Sequence, residues 1–204
     1  MNSYIQPHRF SPILSSSDQQ QIKSYLYSLN TAWTIANSTV SNKFIPEYNF
    51  DERVMDTFNC VHIIEPTSPI YSICMSLAER VCKELSLSIK VINRIKANTL
   101  LSEQGFTPQH FNVPHRDHDI ENALSLIYYV DNSDGDTCIF TEFDAESKAL
   151  GTPQRYKPVQ GSAVVFNSNV YHASSNPVNS RRRTVINIVL EYGKQHNDTF
   201  DISS

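Results

Sequence analysis

His115 and Asp117 stand two residues apart, and on an extended chain residues at that spacing project from the same face. An imidazole beside a carboxylate offers two neighbouring ligands to a divalent cation. A second imidazole from another strand would complete a 2-His-1-carboxylate set, which leaves coordination positions open to substrates. A site closed by four protein ligands would instead be structural. The pair alone is weak: with seven histidines an H-x-D arises readily by chance, and the chain holds a second, His196-x-Asp198, in a polar tail expected to be solvated.

The same letters fit another motif. His115-Arg116-Asp117 followed by Asn122 matches H-R-D-x-x-x-x-N, the catalytic loop of protein kinases. The other kinase parts are missing from the sequence: there is no G-x-G-x-x-G, no V-A-I-K and no D-F-G. A motif without its context is discarded.

Downstream context favours the metal. Gly161–Phe166 reads as a buried strand, and shortly after it Tyr171-His172-Ala173-Ser174 brings a further imidazole. Beyond it Arg183 opens a predicted strand, Thr184–Leu190. A guanidinium fixed at the start of a strand suits bidentate binding of a carboxylate. On a strand Arg181 and Arg183 project to one side and Arg182 to the other, and the spacing from His172 permits Arg182 or Arg183.

The elements that must position these residues follow from periodicity. Residues 16–30 are predicted helical, capped by Ser17 or Asp18, with Ile22, Tyr25, Leu26 and Leu29 on one face. A second helix is predicted over 69–87, with Ser68 as cap, Pro69 at its first position and Ile73, Leu77, Val81 and Leu85 in a row. After residue 88 the chain turns to short β-branched and aromatic runs at 89–101, 123–130, 137–143, 156–159, 162–166 and 184–192, separated by turn clusters. This predicts a mainly β fold with supporting helices, a sandwich or barrel. A single domain is expected over 1–204: helical support to about 88, a β core over 89–192 and a polar tail from 193.

Composition narrows the partners. A charged fraction of 19% and net charge of −4 give no electrostatic footprint for nucleic acid or an anionic membrane, and Arg181–Arg183 is too short a run to supply one. Cys60, Cys74, Cys82 and Cys138 are scattered without a C-x-x-C pair, which points to reduced thiols and a cytoplasmic setting. The first ten residues are polar, contain Pro7 and do not read as a secretory segment. No apolar run approaches the roughly 20 residues of a membrane span.

Over residues 89–192 the chain resembles the 2-oxoglutarate/Fe(II)-dependent oxygenase superfamily, especially its prolyl 4-hydroxylase-like branch, and it is similar to the small stand-alone members found in bacteriophages. The likeness lies in Tyr128-Tyr129-Val130-Asp131, similar to a Y-L-N element, and in Asp134–Phe140, similar to a G-G-x-T-x-F turn and strand. It extends to the Gly161–Phe166 strand and to Arg183 followed four positions later by Asn187. The resemblance implies a double-stranded β-helix (jelly roll) with N-terminal α-helices. It implies Fe(II) on His115, Asp117 and His172, which would be both metal ligands and catalytic centre. It places the C5 carboxylate of 2-oxoglutarate on the basic residue of the last strand, for which the R-x-x-x-N spacing to Asn187 selects Arg183 over Arg182. Tyr129, on one face with Ser125 and Ile127, would assist, and Asn98 is a further cosubstrate candidate.

The implied activity consumes 2-oxoglutarate and O2, releases succinate and CO2, and hydroxylates a C–H bond of a peptide or protein. A free amino acid, a small metabolite or a nucleobase is the alternative substrate, and a non-catalytic jelly-roll binding protein is the alternative of another class. Asp117 is retained, whereas halogenating members lack the carboxylate, so the resemblance is to a hydroxylase. The family's Y-L-N-D reads Tyr129-Val130-Asp131-Asn132 here and its glycine pair reads Asp134-Gly135, departures that bear on substrate choice. His110 and His118 are expected in loops near the mouth. Trp33, Tyr48 and Phe50 are expected to pack, with a substrate groove as their other use.

Overall fold

The computed structural model describes residues 4–40 and 52–194. In chain order the elements are β1 (His8–Phe10), α1 (Ser16–Leu26), β2 (Thr34–Ala36), β3 (Asn59–Ile63), α2 (Tyr71–Glu84), β4 (Leu87–Leu101), β5 (Ala123–Tyr129), β6 (Thr137–Phe140), β7 (Phe143–Asp144), β8 (Ala149–Leu150), β9 (Gln154–Tyr156), β10 (Ala163–Asn167), β11 (Tyr171–Ser174) and β12 (Arg182–Lys194). They form a seven-stranded sheet in the order β1-β10-β5-β12-β4-β3-β2, a three-stranded sheet β11-β6-β9 and the hairpin β7-β8.

β5 is buried along its whole length, yet its two faces serve different neighbours, as the two-residue period of a strand requires. Leu124, Leu126 and Tyr128 join Ile22 and Leu26 of α1 and Leu77 and Val81 of α2 in the larger core. Ile127 and Tyr129 point the other way and pack with Val164 and Phe166 of β10, Val185 of β12 and Ile139 of β6. β12 repeats the pattern. Ile186, Ile188 and Leu190 meet the helices, whereas Arg183, Val185 and Asn187 line a cavity on the opposite face. The helices thus cover one side of the large sheet, and the small sheet lies over the other.

The helices begin and end differently from expectation. The cap of α1 is Ser15, not Ser17 or Asp18: its Oγ accepts from the Asp18 backbone N–H at 3.1 Å and donates to the Asp18 carboxylate at 2.7 Å. Asp18 so placed also complements the helix dipole. The helix stops at Leu26, and Leu29 is fully exposed. Ser68-Pro69 lies in a turn ahead of α2, where the Ser68 carbonyl accepts from Tyr71 N–H at 3.0 Å, so the helix starts two residues later than predicted and has no side-chain cap. It ends at Glu84, and Ser86 takes a left-handed φ of 55°.

The segment before residue 88, expected as helical support, also contributes three strands to the large sheet. β1 pairs with β10, β3 with β4 and β2 with β3, all antiparallel. These strands run three to five residues, too short to show a period, although Cys60-Val61-His62-Ile63 carries β-branched residues. The predicted strand 137–143 divides into β6 and β7, and the run at 156–159 is replaced by Gln154–Tyr156. Among the described residues no helix is long and apolar enough to cross a membrane.

Leu77 is completely buried and Leu29 completely exposed. Leu77→Ala is therefore expected to cost about 2–5 kcal/mol in urea unfolding, and Leu29→Ala less than about 0.5 kcal/mol.

Candidate metal and carboxylate site

Backbone pairing brings the two imidazoles together. His115 and His172 form an isolated antiparallel bridge in which each N–H donates to the other's carbonyl at 2.9 Å. Asp117 N–H donates to Ser168 O at 3.0 Å, which turns the carboxylate toward the same point. The ring centroids lie 4.5 Å apart. One ligand atom from each of His115, Asp117 and His172 lies within 4.8 Å of the others.

The protonation pattern suits a cation. His115 Nδ1 is 3.2 Å from the Val113 carbonyl and His172 Nδ1 is 3.1 Å from the Val170 carbonyl. A carbonyl only accepts, so each Nδ1 carries a proton and Nε2 is the ring atom turned toward the shared point. His172 Nε2 faces Asp117 Oδ2 at 3.4 Å. Burial, reinforced by His172, pushes His115 down to about 3, which keeps its ring neutral. Burial would raise Asp117, but the Arg94 guanidinium beside it helps to hold it well below the usual carboxylate range.

Asp117 is fixed from behind. Arg94 Nη2 approaches Oδ1 at 2.6 Å, Ser125 Oγ donates to Oδ2 at 2.7 Å, and Asn187 Nδ2 donates to Oδ2 at 3.1 Å. Carbonyls orient the imidazoles and three donors orient the carboxylate, the outer support that ligating groups need. Two imidazole nitrogens and one carboxylate, with no fourth ligand in the group among the described residues, fit the donor set of an open Fe(II) site.

The site opens on a cavity of about 480 Å³, its mouth included, lined among others by Lys96, Asn98, Ile127, Thr137, Arg183 and Val185. Arg183 is 3% exposed. Its Nε donates to Gly135 O at 2.8 Å and its Nη2 to Thr137 Oγ1 at 2.7 Å, and no carboxylate lies within ion-pair distance of it among the described residues. Arg182 points to the helical side, 3.6 Å over the Tyr27 ring and 3.4 Å from Asp131. The pleat thus separates the two arginines. Gly135 is required by close approach: a Cβ there would collide with the Ser175 carbonyl oxygen and lie 2.9 Å from Pro177 N.

Tyr129 stands one layer behind the cavity wall, its hydroxyl donating to Thr137 Oγ1 at 2.9 Å; burial pushes it up to about 12. Asn98 lies on the wall, its Oδ1 accepting from Asn59 Nδ2 at 3.2 Å. His110 and His118 are absorbed in loop structure, where each Nδ1 accepts a nearby backbone N–H, from Thr107 and Ile120. Trp33 packs on the larger core and donates to Leu26 O. Tyr48, Phe50 and the His196-x-Asp198 pair lie outside the described residues. Arg94, Lys96 and Thr137 were not anticipated. The signal that could have found the first two is the alternation of Arg94, Lys96 and Asn98 along a strand that is covered on both faces.

No family model and no curated protein matches the sequence. Solved structures do. A prolyl-4-hydroxylase from Pseudomonas putida superposes with a TM-score of 0.56 at 15% identity, over 91% of each chain. A prolyl hydroxylase from Trichoplax adhaerens, in complex with a hypoxia inducible factor peptide fragment, gives 0.60 at 11% identity over 91% of this chain and 83% of that one. HygX from Streptomyces hygroscopicus, with nickel, 2-oxoglutarate and hygromycin B bound, gives 0.54 at 12% identity over 93% and 83%. At these identities the likeness establishes a shared fold.

If the three ligand atoms hold a cation, Ni(II) or Mn(II) at about 100 times its dissociation constant should stabilise the protein by about 2.7 kcal/mol. A thermal melt is expected to show that upward shift for the wild type and none for His172→Ala.

Proposed function

We propose that this chain is an Fe(II)- and 2-oxoglutarate-dependent dioxygenase, built on a double-stranded β-helix, that hydroxylates a C–H bond of a proline-containing peptide or protein. The observation that carries the reading is the convergence of His115, Asp117 and His172 at a cavity that also holds Arg183, a buried guanidinium with no ion pair among the described residues. The fold shared with oxygenases supports it. Two of those neighbours are prolyl hydroxylases, one with a peptide bound, and that likeness supports the peptide or protein reading.

His115, Asp117 and His172 would hold the iron. When bound, Fe(II) supplies the redox chemistry that couples O2 and decarboxylation of 2-oxoglutarate, to succinate and CO2, to hydroxylation of the substrate. The chain supplies orientation. Arg183, already aimed by Gly135 O and Thr137 Oγ1, would bind the distal carboxylate through its remaining N–H groups. Tyr129 secures that arrangement through Thr137, a supporting role one step removed from the cosubstrate. Arg94, Ser125 and Asn187 hold the Asp117 carboxylate in one orientation. Leu100, Ile127 and Val185 give the cavity apolar walls, which strengthen the charge interactions inside by excluding water.

The test is succinate release with Fe(II), O2 and 2-oxoglutarate, screened over proline-containing peptides, free amino acids and methylated nucleic acids. Turnover is expected with a peptide and lost in Asp117→Ala. Arg183→Met should raise the 2-oxoglutarate requirement by roughly ten- to a hundredfold, the loss of a charge-assisted contact. Asp117→Ala turning over 2-oxoglutarate at the parent rate contradicts the assignment.

A further inference from the structure

Three basic side chains cross the inner face of the large sheet, and one of them is neutralised. Arg94 is 2.6 Å from Asp117. Arg183 and Lys96 both line the cavity, and among the described residues Lys96 makes neither an ion pair nor a hydrogen bond. Among the described residues, those that line the cavity include no Asp or Glu.

Register sets the two free cations apart. Arg183 lies opposite Leu100 and Asn187 lies opposite Lys96, four residues along the strands, or about 13 Å between the two levels. Lys96 is therefore at the level of Asn187, the residue whose amide reaches Asp117, while Arg183 is at the other end. Burial, with Arg94 nearby and Asp117 only partly offsetting it, pushes Lys96 down to about 8. That is the direction expected of a cation that has lost water and gained no acceptor.

We propose that Lys96 is a second carboxylate-binding residue of this cavity, so that the occupants meet one cation at each end. The proposal rests on the oxygenase reading above. The carboxylate is either the one beside the keto group of 2-oxoglutarate or one carried by the substrate, and an ammonium binds both as a compact point charge. Arg183 is too far along the sheet to serve both ends.

The experiment is calorimetry on the full chain loaded with Ni(II), comparing wild type, Lys96→Met, which removes the charge and keeps the stem, and Lys96→Arg, which restores a cation. Lys96→Gln, a second neutral variant, guards against misfolding of the first. One arm measures 2-oxoglutarate alone; the other, at saturating 2-oxoglutarate, measures a short proline-containing peptide with a free C-terminal carboxylate against the same peptide amidated. A loss of 2-oxoglutarate affinity of about ten- to a hundredfold in Lys96→Met, recovered in Lys96→Arg, supports the proposal with the cosubstrate as source. Unchanged 2-oxoglutarate binding with loss of a preference for the free-acid peptide over its amide supports it with the substrate as source. If the wild type binds 2-oxoglutarate and the neutral variants match it in both arms, the role of Lys96 is overturned while the oxygenase reading stands. A wild type that does not bind 2-oxoglutarate overturns both.

Discussion

Arg183, Val185 and Asn187 reach the cavity because β12 is held in register along both edges, with Val185 opposite Tyr129 and Asn98 and Asn187 opposite Ile127 and Lys96. A slip of one residue would turn that row toward α1 and α2 and carry Ile186 and Ile188 into the site. The larger core resists such a slip, since Ile186, Ile188 and Leu190 are fully buried beneath the helices. Apolar burial on one face of the strand thus fixes polar placement on the other.

That arrangement lets the protein bury groups that would otherwise be costly. Asp117 is nearly inaccessible, but it receives donors from β4, β5 and β12, three adjacent strands of one sheet. Arg183 is equally buried and is oriented by the Gly135 carbonyl and the Thr137 hydroxyl. The same Thr137 hydroxyl accepts from Tyr129, which ties Arg183 to the apolar cluster behind it. Asp134 anchors the neighbouring loop by accepting from the backbone N–H groups of Val178, Asn179 and Ser180, so the turn that carries Gly135 is fixed from both sides. Preorganisation of this kind is what a positively charged pocket for a small anion needs.

Much of the site was legible because its signals are local. His115-x-Asp117 gained weight only from His172 and Arg183 downstream; Arg183 sits at the start of a strand whose apolar run is plain, whereas β11, which carries His172, was not among the predicted strands. The spacing to Asn187 pointed to Arg183 over Arg182, and the pleat sends Arg182 to Tyr27 and Asp131 and Arg183 to the cavity. Arg94 and Lys96 were harder, because polar residues alternating along a strand ordinarily mark a solvent face, and only the overlying small sheet makes that face a cavity. The position of Tyr129 behind Thr137 depends on contacts between β5 and β6, which spacing along one strand does not encode. In the first 88 residues both helices were visible from their apolar rows, but β1, β2 and β3 were not. Each draws its stability from the strand it joins rather than from its own pattern.

The most direct test of the central claim is the absorption spectrum of the protein with Fe(II) and 2-oxoglutarate under anaerobic conditions. Chelation of the keto acid by iron held on His115, Asp117 and His172 predicts a visible charge-transfer band that appears only when protein, metal and 2-oxoglutarate are all present and is absent from His172→Ala. A wild-type protein that shows no such band, or a His172→Ala protein that shows it unchanged, would contradict the account.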